Sequence, residues 1–127
     1  AVLSPVFAED LIIRAIALSQ DKSNVYIVGK KIGPIAGQSS AGGADIFVAR
    51  FDTQGTLIWA KLLGQAGDDD GRALSVSSDG ALYIAGACAD TACLFKLATD
   101  GTIAWTKTRS SAMVERASGA WHSRLIK

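Results

Sequence analysis

Residues 14–21 read RAIALSQD, and residues 72–79 repeat this stretch as RALSVSSD. Each copy is followed by a short apolar run that ends in glycine, at Gly29 in the first copy and at Gly86 in the second. The offset between the copies is 58 positions at the leading arginines and 57 at the tyrosines of the apolar runs, so the second copy has lost one turn residue. A repeat of this length predicts one supersecondary unit per copy.

A second pair of matching stretches follows in each copy. Residues 45–61 read DIFVARFDTQGTLIWAK, and they align with the later stretch that contains Gly101 and Trp105, 46 positions after Gly55 and Trp59. The connection before this block, Lys30 to Ala44, is long and rich in glycine and serine in the first copy, and it is short in the second. Connections of variable length between matched segments are typical of repeat arrays.

Each copy predicts four antiparallel strands. Apolar residues alternate with other residues in several of these segments, which is the period of a strand, and the turns carry Asn, Asp, Ser and Gly. We expect an all-β domain over residues 1–127, with repeat one at about 10–64, repeat two at about 66–109 and an atypical tail at 110–127. The expected strands lie at about 12–19, 24–30, 45–52 and 56–63, and at about 71–77, 81–88, 92–98 and 102–108.

The order of these motifs resembles the SBBP-type β-propeller repeat of secreted bacterial proteins. The resemblance covers about residues 10–108 and rests on DIFVARFD at 45–52, the tryptophan strand after it, GDDDG at 67–71 and LYIAG at 82–86. It implies one four-stranded blade per copy, in a propeller that is incomplete or is completed by oligomerisation. The second copy departs from the pattern at residues 92–94, where Ala-Cys-Leu replaces the Asp-x-Phe opening.

Composition excludes some classes of partner. Thirteen Lys and Arg residues against twelve Asp and Glu residues give a net charge of +1. The chain therefore lacks the basic excess that is typical of nucleic-acid-binding proteins. No apolar run approaches the roughly 20 residues that a membrane helix needs, so we expect no transmembrane segment. A membrane-bound complex could still be the host assembly.

The two cysteines, Cys88 and Cys93, fall where two strands of the second copy turn back on each other. One interpretation is a disulfide, which would indicate an oxidising, extracytoplasmic compartment. The other is a pair of small buried residues. The sequence leaves both open.

Two features raise the question of a metal site or a catalytic site. Asp68, Asp69 and Asp70 are weak calcium candidates, because carboxylates are calcium ligands but no bidentate acid follows at the required spacing; a turn whose carboxylates accept from backbone amides is favoured. His122 is the only histidine and has no partner at ligand spacing. We therefore expect no enzyme activity and no cofactor.

The remaining candidates are structural or partner-binding. We expect Trp59 and Trp105, placed by the turn glycines Gly55 and Gly101, to be equivalent buried packing residues rather than a cofactor motif. Two blades alone would leave apolar faces exposed, which predicts a protein partner or self-association. The connection from Lys30 to Ala44 and the tail break the repeat, and we expect the partner to contact them at Pro34, Arg116, Trp121 and Arg124.

Two functions remain open. One is a non-catalytic interaction module that acts as a scaffold or accessory subunit of a larger protein assembly. The alternative is a fragment of a larger propeller enzyme or of a ligand- or glycan-binding protein whose site needs further blades.

Overall fold

The computed structural model describes residues 10–35, 38, 43–64, 67–89 and 91–110. These residues form two four-stranded antiparallel sheets, each with its strands in sequence order, and contain no helix. The first sheet consists of β1 (Leu11–Leu18), β2 (Asn24–Ile32), β3 (Ala44–Asp52) and β4 (Leu57–Leu63). The second sheet consists of β5 (Asp69–Val76), β6 (Leu82–Cys88), β7 (Thr91–Leu97) and β8 (Ile103–Ser110). The expected all-β architecture of two blade-like repeats is confirmed, and the two sheets do not close into a ring.

Equivalent strands pair in the same register in the two sheets. The first pair of strands has a bulge in each sheet, at Arg14 between Ile13 and Ala15 and at Arg72 between Gly71 and Ala73. The third and fourth strands also share a register shift, which places Arg50 opposite Trp59 and Lys96 opposite Trp105. The repeat in the sequence therefore extends to the irregularities of the strands. Because a bulge changes the direction of the side chains beside it, matching bulges keep equivalent side chains on equivalent faces.

The hairpins between the third and fourth strands also match. Gly55 has φ 86° and Gly101 has φ 90°, and the amide of each donates a hydrogen bond to the carbonyl oxygen three residues earlier. Positive φ strains any residue that has a β-carbon, so this turn requires glycine in both copies. Both glycines therefore lie where their turns need a positive φ.

The two sheets pack face to face through unlike faces. The face of each sheet that bears its tyrosine and tryptophan is here named the aromatic face, and the other is named the opposite face. The aromatic face of the first sheet packs against the opposite face of the second. The core between them contains, among others, Tyr26, Val28, Ile46 and Val48 from the first sheet and Leu82, Ile84, Phe95 and Leu97 from the second.

Part of the long connection covers the first sheet. Ile35 is 5% exposed and packs with Phe47 and Ala49 on the opposite face of that sheet. The Gln38 side-chain amide donates to the carbonyl oxygen of Ala60 at 2.7 Å and accepts from the amide of Leu62 at 2.9 Å. Gln38 therefore satisfies backbone groups at the free edge of β4, where an unpaired strand would otherwise attract other strands.

No helix among the described residues is long and apolar enough to span a membrane.

Candidate interaction site

The junction between the sheets shows how an aromatic face binds its neighbour. Trp59 Nε1 donates to the carbonyl oxygen of Thr99 at 3.0 Å, and Arg50 Nη1 donates to the same oxygen at 3.2 Å. Lys61 Nζ donates to the carbonyl oxygen of Gly101 at 2.6 Å. Three side chains of the first sheet thus hold the β7–β8 turn of the second, and two of these bonds come from charged donors, which strengthens them.

A close approach of backbone completes the junction. A β-carbon added to Gly71 would lie 2.7 Å from Val28 Cγ2 and 2.9 Å from Ile46 Cγ2. Both distances are shorter than carbon atoms tolerate. Only glycine lets β5 approach the first sheet this closely, so the size of the residue at position 71 sets the distance between the sheets.

An ion pair joins the first strands of the two sheets, β1 and β5. Arg14 donates to Asp70 through Nε at 3.3 Å and through Nη2 at 3.1 Å, and Arg72 Nε lies 3.1 Å from Asp70 Oδ2. The two arginines that mark the repeat therefore share one carboxylate across the junction. Both arginines are partly exposed, which limits the contribution of the pair to stability.

The second sheet carries the same set of side chains on its own aromatic face. By the shared register Lys96, Trp105 and Lys107 are the equivalents of Arg50, Trp59 and Lys61. The tyrosine and tryptophan rings have the same spacing in both sheets, with centroids 6.3 Å apart. On the second sheet, however, no described strand packs over this face: Lys107 is exposed and Leu94 is 46% exposed, while Lys96 Nζ lies over the Tyr83 ring, 5.6 Å from its centroid.

This exposed face contains a shallow apolar groove of about 210 Å³. The residues that line it come from β5, β6 and β7, and include Ala73, Tyr83, Ala85 and Leu94. The equivalent surface of the first sheet is covered by β5, because Ala15, Ala17 and Val28 belong to the core between the sheets. The groove is therefore the counterpart, on the second sheet, of the surface that β5 covers on the first sheet.

The two tryptophans occupy equivalent positions but different surroundings. Both are half-buried rather than buried as expected. Trp59 packs against the core between the sheets and against Gly101. Trp105 contacts Tyr83 of its own sheet and lies on the exposed face. Their positions are therefore equivalent and neither is fully buried, but only Trp59 has a neighbouring sheet among the described residues.

The three consecutive aspartates have separate partners. Asp68 Oδ1 accepts from the amide of Ala44 at 3.0 Å, as expected for a turn carboxylate. Asp69 and Asp70 instead begin β5, where they pair with Cys88 and Ala87, and the carboxylate of Asp70 binds the two arginines. The described residues contain no group of three or more His, Cys, Asp or Glu side chains that could hold a metal ion.

Cys88 and Cys93 are joined by a disulfide with an S–S distance of 2.12 Å, so the first of the two interpretations is confirmed. Both residues are 1% exposed and belong to the core between the sheets. The bond links β6 to β7 behind the groove and holds the two strands that carry Tyr83 and Leu94.

A second, polar cleft of about 290 Å³ lies between the first hairpin turns of the two sheets. Its lining includes Asp21, Asn24, Ser78, Asp79 and Thr99. Hydrogen bonds from the Ser19 and Ser23 hydroxyls hold the pKa of Asp21 at about 2, and the Ser77 hydroxyl lowers the pKa of Asp79. Both carboxylates are therefore engaged within their own turns rather than free for proton transfer.

The expected partner-binding residues fall partly outside the description. Pro34 is exposed, but the neighbouring Ile35 packs back onto the first sheet, so this end of the connection faces the chain itself. Arg116, Trp121, Arg124 and His122 lie outside the described residues. Four basic residues of the two aromatic faces were not predicted as site residues: Arg50, Lys61, Lys96 and Lys107. The sequence does carry a signal for them, because basic residues recur at matching places in both copies.

No protein-family model matches the chain, and no curated protein matches it.

Proposed function

We propose that this protein is a non-catalytic interaction module of the β-propeller-repeat type, which serves as a scaffold or accessory subunit of a larger protein assembly. One observation carries the proposal: the aromatic face of the second sheet repeats, exposed, the face by which the first sheet binds its neighbour. Strand pairing within the second sheet holds the backbone of this face in place, so binding would require no ordering of that backbone.

The chemistry of the face favours a protein partner. Lys96 and Lys107 are hydrogen-bond donors only, and in the first sheet their equivalents bind backbone carbonyl oxygens of a turn. Leu94 and Tyr83 supply apolar area between them. Trp105 and Tyr83 are of the residue types that dominate the binding energy of protein interfaces. The disulfide supports an extracytoplasmic location.

Site-specific photo-crosslinking in the cells that make the protein tests this function. A photoreactive phenylalanine analogue at Leu94 should give crosslinked products with protein, whereas the same analogue at Lys22, in an exposed turn of the first sheet, should give few. Equal and low yields at both positions would show that the face is not a protein-binding surface.

The alternative is a ligand- or glycan-binding protein, and the polar cleft beside Asn24 and Ser78 is the observation that favours it. Hydroxyl and amide groups can hydrogen-bond sugar hydroxyls, yet the cleft is small beside ordinary ligand sites. A glycan array followed by NMR shift mapping tests this alternative. Shifts confined to the Asn24 and Ser78 turns would support it.

A further inference from the structure

The aromatic face of the second sheet and the opposite face of the first sheet point away from the junction, and the two are complementary to each other. The second sheet ends in an exposed aromatic face with Lys96, Trp105 and Lys107 as donors. The first sheet ends in an opposite face with the turn that contains Thr53 and Gly55, which are equivalent to Thr99 and Gly101. The donors of one copy would therefore find, on another copy, the turn type that their equivalents already bind.

We propose that the partner of the exposed aromatic face is the first sheet of a second copy of this chain, bound head to tail. This inference rests on the proposed function and names its partner.

The apolar residues at the two ends fit this arrangement. In the intramolecular junction, Leu74 and Val76 of β5 pack in the core between the sheets. Their equivalents in β1 are Ile16 and Leu18, which are 68% and 52% exposed. β1 therefore presents to solvent the two residues that would enter the groove beside Leu94 of another copy.

The sizes of the contacting residues are exchanged between the two junctions. Within the chain, Gly71 allows the close approach of Val28 and Ile46. The equivalent of Gly71 is the larger Ile13, while the equivalents of Val28 and Ile46 are the smaller Ala85 and Ala92. The summed side-chain volumes of the two sets of three residues are nearly the same. Volume-conserving exchanges of this kind preserve packing, so β1 of one copy can approach the aromatic face of another as closely as β5 approaches the first sheet.

Charge and symmetry exclude the simplest alternative arrangement. Two copies that met through their aromatic faces would bring Lys96 and Lys107 of one against the same lysines of the other, which is unfavourable. The head-to-tail arrangement avoids this repulsion and is heterologous, so it propagates into a ring or a filament.

The junction between copies differs from the intramolecular one at two places. Ile12 is the equivalent of Asp70, so the junction between copies lacks the arginine–carboxylate pair. Ile35 covers Phe47 and Ala49 on the opposite face of the first sheet, and their equivalents Cys93 and Phe95 lie in the core of the intramolecular junction. A second copy would therefore pack on Ile35 at that point and directly on the sheet beside β1.

Sedimentation velocity over a wide concentration series tests the proposal. The wild-type mass should rise with concentration from 13.2 kDa to more than twice that value. Leu94→Glu places a charge on the aromatic face of the second sheet, and Ile16→Glu places one on the opposite face of the first sheet. Each variant alone should remain monomeric. An equal mixture of the two variants should give a species of two chains and nothing larger, because one intact junction remains. Lys22→Glu should associate like the wild type.

A size exchange provides a second test. Ala92→Ile should weaken association at least tenfold, and Ile13→Ala in the same chain should restore it, since the pair recreates the sizes of the intramolecular junction. Circular dichroism of each variant confirms the fold.

Four outcomes overturn the inference: a monomeric wild type at every concentration, a wild type that stops at two chains, association that survives both glutamate variants, or no recovery in their mixture. If crosslinks from position 94 reach a different protein while the pure chain stays monomeric, the interaction function stands and only the self-association fails. If the crosslinks also fail, both fall.

Discussion

Trp59 of the first sheet packs directly on Gly101 of the second. A β-carbon at Gly101 would lie 3.3 Å from the indole ring, and the ring nitrogen donates to the carbonyl oxygen of Thr99 two residues earlier. One glycine therefore has two functions, since it allows the positive φ of its own turn and it provides the flat surface on which the tryptophan rests. Gly55, the equivalent glycine of the first sheet, has the first function. In the head-to-tail arrangement proposed above, Trp105 of a second copy would pack on it.

We expect Trp59→Ala to lower the free energy of unfolding by about 3 kcal/mol, because it removes packing between the sheets and a hydrogen bond. Trp105→Ala should lower it by less than about 1.5 kcal/mol, because that ring contacts mainly Tyr83. Urea unfolding at a concentration where the chain is monomeric measures both. Trp59→Phe serves as the control that removes the hydrogen bond and retains most of the packing. Equal losses for the two alanine variants would contradict the difference in surroundings.

Gly71→Ala should destabilise the protein by about 1–3 kcal/mol, because the new methyl group overlaps Val28 and Ile46. Val28→Ala opens space at the same point, so the double variant should lose less than the sum of the two single losses by at least about 0.5 kcal/mol. A double-mutant cycle from urea unfolding gives this coupling. Strictly additive losses would mean that β5 does not approach the first sheet at Gly71.

Reduction of the disulfide should lower the free energy of unfolding by about 2 kcal/mol, since the bond closes a short loop. Thermal unfolding with and without a reducing agent measures the loss. In the double variant Cys88→Ala, Cys93→Ala the reducing agent should have no effect. Unfolded protein that has not been reduced should react with no thiol reagent, and two reactive thiols would refute the bond.

Stability should decrease as the pH falls from about 4 to about 2. The pKa of Asp21 is lowered from its ordinary value of 3.8 to about 2, because hydroxyls of Ser19 and Ser23 and the Ser23 amide donate to the carboxylate. A depressed folded pKa gives stability that is present above the unfolded value and lost as the pH falls through the folded one. NMR titration of the Asp21 carboxyl carbon measures this pKa directly. Ser19→Ala should raise it toward 3.8, and an unchanged titration in that variant would contradict the assigned cause.

Much of the fold could be predicted from the sequence because its signals are local. The alternation of apolar residues set the strands, and the glycines at 55 and 101 set the matching turns. The shift from an offset of 58 at Arg14 to 57 at Tyr26 predicted the shorter turn, and the strand pairing agrees with it. The sequence predicts the start of β5 about two residues too late, because consecutive aspartates are typical of turns, whereas pairing with β6 holds Asp69 and Asp70 in the strand.

The candidate site was predicted only in outline. The sequence indicated exposed apolar faces, and it singled out the tryptophans, but it did not show that Arg50 and Lys61 bind a turn of the next sheet. Those bonds join residues 40 or more positions apart, so neither partner has a local signal for the other. The same holds for Arg14 and Asp70.

By itself, the sequence determined that this chain consists of two copies of one four-stranded unit, because strand period and turn chemistry depend on neighbouring residues. Only the tertiary structure decided which faces meet. Both faces of each sheet are rich in apolar residues, so composition cannot select one, whereas the close approach at Gly71 and the donors to the Thr99 turn select a single pairing. Trp59 and Trp105 have similar local sequences and different surroundings for this reason: a neighbouring sheet covers one and not the other.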